Sequence, residues 1–324
     1  MENDTYACET ILSTRFLLSE SQRIFLIFYV ILIDGVLNFV LNSLVIATLV
    51  KTKQYRSPAL RIMLYMSIAD VSLSIITPLV YVLLLTKYKD SQSCLVEMSG
   101  QFACQFLGHV SILLIGQLAF DRYARIKYLQ EYRNKMSKKR INLMTLLVIG
   151  VSLLNACLLV LGTILEKHKL FALLVFAIDG VIISIVVFLN LKAMLTLNQH
   201  CREAQSTRLE DIRVNVVALT KAILFTVTIL YTIYITVNLI HLFTYHTTVS
   251  LYWKQILEFS LHFGLMLAIT NSLANAILFV RFNKDSHKLI TDIFCNRRKV
   301  EMESQKQYSV PGSQTGKSSE TTTV

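Results

Sequence analysis

The chain has 324 residues, of which 54% are hydrophobic and only 16% charged, with 3 prolines and a formal net charge of +11. So much apolar residue with so little charge excludes an ordinary soluble globular domain and points to a membrane protein. The basic excess gathers at the ends of apolar runs, so it reads as a surface for anionic lipid and a cytoplasmic partner, with no nucleic acid implied.

Residues 1 to 23 are polar and carry no signal-peptide pattern, which leaves the first apolar run to act as its own signal. Asn3, in Asn3-Asp4-Thr5, is a candidate glycosylation site. A membrane span needs about 20 mostly apolar residues. Such runs recur at roughly 24 to 50, 60 to 86, 97 to 122, 141 to 165, 170 to 197, 215 to 243 and 255 to 281. With the N-terminus outside, the inner segments hold 25 of the 32 Lys and Arg residues and the outer segments 7. Lysine and arginine concentrate on the cytoplasmic side, so this distribution places the N-terminus outside.

Beyond Arg281 the stretch "FNKDSHKLITDIFC" puts Phe282, Leu289, Ile290 and Ile293 on one helical face, the pattern of an amphipathic helix lying on the inner leaflet. The fold expected is all-α: a seven-transmembrane helix bundle with a short amphipathic helix after the seventh span. Its parts are an extracellular segment at 1–23, the bundle at 24–281, the amphipathic helix at 282–295 and a disordered cytoplasmic tail at 296–324.

Of six cysteines, only Cys8 and Cys94 fall in outer segments, where they either pair as a disulfide or remain free thiols. Cys104 and Cys157 read as apolar fillers inside spans. Cys295, beside Arg297, Arg298 and Lys299, is a candidate palmitoylation site.

A charge at mid-bilayer costs about 2.5 to 3.5 kcal/mol on insertion scales, so an acid inside a span marks a functional position. Asp70 sits ten residues into its run, in "LYMSIADVSLSIITPL". Its expected company is Asn42, Ser111, Asn271, Ser272 and Asn275, the first and last of the span-seven residues sharing a face by their i, i+4 spacing. Two readings stay open: oxygen ligands for a small hard cation such as Na+, or a hydrogen-bonded polar core that holds the helices together. Asp34 and Asp179 also lie inside apolar runs.

Taken together, "LNSLVIATLV", "LYMSIADVSLSIITPL", "LAFDRYARIKY" and "NSLANAILFVRFNKD" resemble, in this order and at these spacings, the rhodopsin-like (class A) G-protein-coupled receptors over roughly residues 24 to 295. The resemblance implies that Asn42, Asp70, Ser111, Asn271, Ser272 and Asn275 match a sodium-binding cluster, so that a bound Na+ is the one ion expected and no other cofactor is required. It implies that Asp121, Arg122 and Tyr123 match the Asp-Arg-Tyr motif, with Arg122 held by Asp121 and by an acid at the inner end of span six. Asp211, 14 residues before Phe225, is the candidate for that acid, with Glu210 next. Release of the clamp lets span six swing outward and opens Arg122 to a heterotrimeric G protein.

The departures from the family are local. "NAILF" replaces Asn-Pro-x-x-Tyr, with Ala276 for Pro and Phe279 for Tyr, and Thr228-Ile229-Leu230-Tyr231 stands where span six would carry Cys-Trp-x-Pro. The second outer loop is only about "EKHK", 166 to 169, and has no Cys for the usual bond to span three. A ligand pocket between the outer halves of the spans would be lined by Gln101, Cys104, Gln105, Asp179 and His262, with Glu97, Gly108, His241 and Glu258 nearby. Cys104 stands where amine receptors carry Asp, and Ile269 where an opsin carries its retinal lysine, which argues against both ligand classes.

The expected partners are an unknown extracellular ligand, a heterotrimeric G protein, an arrestin recruited by phosphorylation of tail residues such as Ser318 and Ser319, and a PDZ domain. The PDZ ligand would be Thr322 and Val324, in a C-terminal pattern that adds to a sheet edge. No nucleophile-base set or phosphate loop suggests an enzyme. The alternatives are a seven-span chemosensory or channel-type receptor of inverted topology, and a non-signalling pseudo-receptor.

Overall fold

The computed structural model describes residues 18–85, 92–128, 131–165, 168–203, 229–230, 232–237, 239–240 and 250–283. Every regular element among them is helical: α1 (Glu20–Lys51), α2 (Pro58–Leu85), α3 (Gln92–Tyr128), α4 (Lys138–Ile164), α5 (His168–Glu203) and α7 (Leu251–Phe282). The helical residues 232–237, with 229–230 and 239–240, belong to α6. Apart from α6, each of these helices is long and apolar enough to cross a membrane.

Asn3, Cys8, Asp211, Cys295, Thr322 and Val324 lie outside the described residues, as do the amphipathic helix past 283 and most of the run from 215 to 243. The side chain of Cys94 is outside them as well.

Local chemistry explains the helix ends. Ser19 caps α1 by accepting from the Gln22 amide at 3.3 Å, while Gln22 Oε1 accepts from the Ser19 amide at 2.9 Å. This reciprocal box satisfies donors that a helix start leaves bare. Past α1 the chain turns through Lys53, whose φ of 56° is left-handed, and Pro58 then opens α2, where its missing N–H costs nothing.

The described spanning helices all begin two to five residues before their apolar runs, and α1, α3, α5 and α7 also end after them. At 37 residues α3 is about 55 Å long, well beyond a hydrocarbon core of about 30 Å, so its last turns stand clear of the lipid.

The middle of α1 is not regular. Val30–Leu37 is π-helical and turns Val30, Asp34 and Gly35 inward. Gly35 is needed there because a Cβ would stand 2.9 Å from Cγ of Pro78 on α2.

α3 is the central post, packed on α2, α4 and α5, while α1 packs on α2 and α7. Ile62, Met66, Ile112, Ile115 and Val186 form the main core around α3, and Leu26, Val30, Tyr81 and Met266 a second one between α1 and α7. The outer face of α4 exposes Leu143, Leu146, Leu147 and Leu154, the pattern of a helix turned to lipid.

Candidate functional site

The inner end of α3 is pinned by the loop that follows it. Glu131 and Lys135 pair at 2.8 Å across the single turn of the short helix Tyr132–Lys135. That helix folds back onto α3. Its Tyr132 hydroxyl donates to Asp121 Oδ1 at 2.5 Å, and Lys135 Nζ sits 3.8 Å from the centre of the Tyr128 ring. Burial, followed by the bond to Asp121, pushes the Tyr132 phenol up to about 12, so it stays a neutral donor at any physiological pH.

Asp121 is fully buried and its other oxygen pairs with Arg125 at 3.5 Å. The resemblance had Arg122 held by Asp121; the structure gives the carboxylate to Tyr132 and Arg125, one turn further on, and shows no Asp121–Arg122 ion pair within 4.0 Å among the described residues. The reason is directional, since an i, i+4 partner faces the same side of a helix and an i, i+1 neighbour does not. Tyr123 faces α5, with Lys127 and Lys192 each 5.6 Å from its ring centre.

The expected polar core is buried throughout: Asn42, Asp70, Ser111, Asn271, Ser272 and Asn275 are all nearly inaccessible. Ser272 on α7 donates to Asp70 Oδ1 at 2.8 Å. The buried hydroxyl of Ser111 on α3 has no hydrogen-bond partner among the described residues. Asn42 Nδ2 donates to Asn38 Oδ1 at 2.6 Å and not to Asp70, and Asn275 reaches Met66 Sδ at 4.0 Å. Asp70 Oδ2, Asn42 Oδ1 and Asn271 Oδ1 are buried with no hydrogen-bond partner among the described residues. Orphaned buried oxygens are rare in native proteins. A set made of carboxylate, amide and hydroxyl oxygens fits a hard cation such as Na+.

Asp179, expected in the ligand pocket, is instead enclosed between helices. His109 Nε2 on α3 lies 2.5 Å from Asp179 Oδ1, and Asn155 Nδ2 on α4 lies 3.0 Å from the same oxygen and 2.9 Å from His109 Nδ1. Hydrogen-bond bookkeeping assigns the Nε2–H tautomer: His109 donates to Asp179 and accepts from Asn155. Three spans are thereby tied by one buried network.

Of the other pocket residues, Gln101, Cys104 and Gln105 are half-buried on α3, with Cys104 Sγ 3.7 Å from the Thr77 hydroxyl of α2. His262 sits 3.5 Å from Glu258 one turn away and edge-on to Tyr81.

Sequence reasoning missed His109 and Asn155, each one of several scattered polar residues in an otherwise apolar run. Tyr132, in a polar loop, was missed too. For Asn38 a signal was present: Asp34, Asn38 and Asn42 repeat at i, i+4 and i+8, the period of one helical face.

A family profile described as 7 transmembrane receptor (rhodopsin family) matches residues 41–279, most of the chain and all the motifs just placed. No curated protein matches the chain significantly. With helices, buried acid and the inner end of α3 arranged as described, the chain belongs to the rhodopsin family of seven-transmembrane receptors.

Proposed function

We propose that this receptor stands in the plasma membrane with its N-terminus outside and couples an extracellular ligand to a heterotrimeric G protein. The observation that supports the reading most is the inner end of α3, where Arg122 lies beside a buried Asp121 whose oxygens are engaged by Tyr132 and Arg125. An arginine attracted by its neighbouring acid but not locked to it in an ion pair is a donor fork that a docking partner's carbonyls and carboxylates can take.

In the resting state the second hold on Arg122 is Asp211, the acid expected at the inner end of span six. Ligand binding between the outer halves of the spans favours the arrangement in which span six moves out and Arg122 faces the G protein, a population shift between two states. Asp70, Ser272, Ser111 and Asn271 would hold a sodium ion, which supplies positive charge to the buried carboxylate and so favours the closed bundle. The two-residue bond between Ser272 and Asp70 fixes α7 against α2 at this level. The tail serves an arrestin and a PDZ domain.

An N-terminal epitope tag is expected to be labelled by antibody on intact cells; labelling only after permeabilisation would mean the inverted topology of a channel-type receptor.

A further inference from the structure

Asp34 lies in the middle of the π-helical stretch Val30–Leu37, a distortion that in other helices often accompanies a functional site, and its carboxylate is fully buried between α1 and α7. Its Oδ1 meets the Thr270 hydroxyl at 3.2 Å. The same hydroxyl is 2.9 Å from the Met266 carbonyl oxygen and 2.9 Å from the Tyr29 hydroxyl. A hydroxyl has one proton to donate, so Asp34 and Met266 compete for it. Asp34 thus accepts at most one hydrogen bond from this group, while its Oδ2 has no partner among the described residues. No ion pair among the described residues includes it. A buried carboxylate in that position calls for positive charge from solution.

The surroundings extend the site toward Asp70. Asn38 and Asn42 follow Asp34 on the same face of α1, both buried, and the bond from Asn42 to Asn38 leaves Asn38 Nδ2 and Asn42 Oδ1 unpartnered among the described residues. On α7, Thr270 meets Asp34 and Ser272 meets Asp70, positions about 3 Å apart along the helix. Between them stands Asn271, whose Oδ1 is unpartnered as well. The helix segments of α1 and α7 that carry these unsatisfied atoms are the ones that follow Asp34 and that contact the two carboxylates. Each such atom is one that water or an ion would satisfy.

We propose that Asp34, with Tyr29 and Thr270, is a second site for a monovalent alkali cation, Na+ in the first instance, joined to Asp70 by a hydrated path along Asn38 and Asn42. The proposal rests on the sodium reading of Asp70 for the identity of the ion. Carboxylate and hydroxyl oxygens are the hard ligands such an ion takes.

The test is thermal unfolding of the full chain in lipid nanodiscs, titrated with NaCl against N-methyl-D-glucamine chloride at constant ionic strength, at acidic and neutral pH. Wild type is expected to gain stability with Na+. Asp34→Asn, and Thr270→Val where the carboxylate is kept, should raise the Na+ midpoint by about tenfold, the loss of one good ligand. Asp70→Asn should keep a residual Na+ response that vanishes in the Asp34→Asn/Asp70→Asn double variant. Midpoints of Asp34→Asn and Thr270→Val equal to wild type would overturn the second site. Wild-type stability that changes with pH and not with Na+, with the pH dependence lost in Asp34→Asn, would also overturn it, because Asp34 would then hold a proton. If Asp70→Asn keeps the full wild-type response while Asp34→Asn loses it, the Asp34 site stands and the reading of Asp70 fails. No Na+ response in wild type would end both.

Discussion

Replacing His109 by alanine is expected to lower the thermal unfolding temperature by roughly 5 °C, following a loss of about 2–3 kcal/mol. His109 supplies the close partner of Asp179, and without it the carboxylate keeps only Asn155, at 3.0 Å, in a place where water does not reach. Removing the donor leaves a buried carboxylate short of a hydrogen bond, which costs more than the bond itself contributes. Removing both members should therefore cost little: His109→Leu with Asp179→Leu is expected to melt close to wild type. His109→Gln, which keeps a donor, should fall between. The measurement is melting of purified receptor followed by loss of monodisperse protein. Equal melting of His109→Ala and wild type would mean that the network between α3, α4 and α5 contributes nothing to stability.

The second large effect concerns signalling and has opposite signs for two neighbouring substitutions. Tyr132 occupies one oxygen of Asp121 and Arg125 approaches the other. Tyr132→Phe frees the first oxygen for Arg122, which already attracts Asp121 electrostatically while Arg125 stays on the other oxygen, so basal G-protein turnover should fall. Asp121→Asn removes the acid altogether, and basal turnover should rise. A hydrogen bond to a charged group is worth about 1.5–3 kcal/mol, so each change should be roughly tenfold. Nucleotide exchange in membranes with equal receptor content reads both. Changes in the same direction would show that Tyr132 does not compete with Arg122 for Asp121.

These two networks also show what the sequence makes legible. Hydropathy over about 20 residues locates each span because burial in lipid is a property of the whole run. The Asp70–Ser272 contact was visible because a buried acid has few polar residues to choose from and α7 carries Asn271, Ser272 and Asn275 in one short stretch. The turn of Asn42 toward Asn38 was not visible, since it depends on which of two neighbours one helical turn away captures the amide.

The His109–Asn155–Asp179 network depends on the rotation of α3, α4 and α5 about their axes, and apolar residues all round those helices give no periodic signal for it. The π-helical stretch of α1 is equally silent: it lies where Gly35 packs against Pro78 of another helix, a contact that the local sequence does not announce. Arg125 rather than Arg122 as the partner of Asp121 follows from helix geometry alone, and motif spelling concealed it.

The claim that this chain signals through Arg122 is tested most directly by nucleotide exchange on a heterotrimeric G protein, measured for wild type and Arg122→Ala at equal surface expression with a promiscuous Gα subunit. Wild-type membranes are expected to exceed vector control without added ligand, and Arg122→Ala to return to it. Wild type and Arg122→Ala that both match the control, before and after a broad ligand screen, would contradict the account and leave a receptor fold that does not couple.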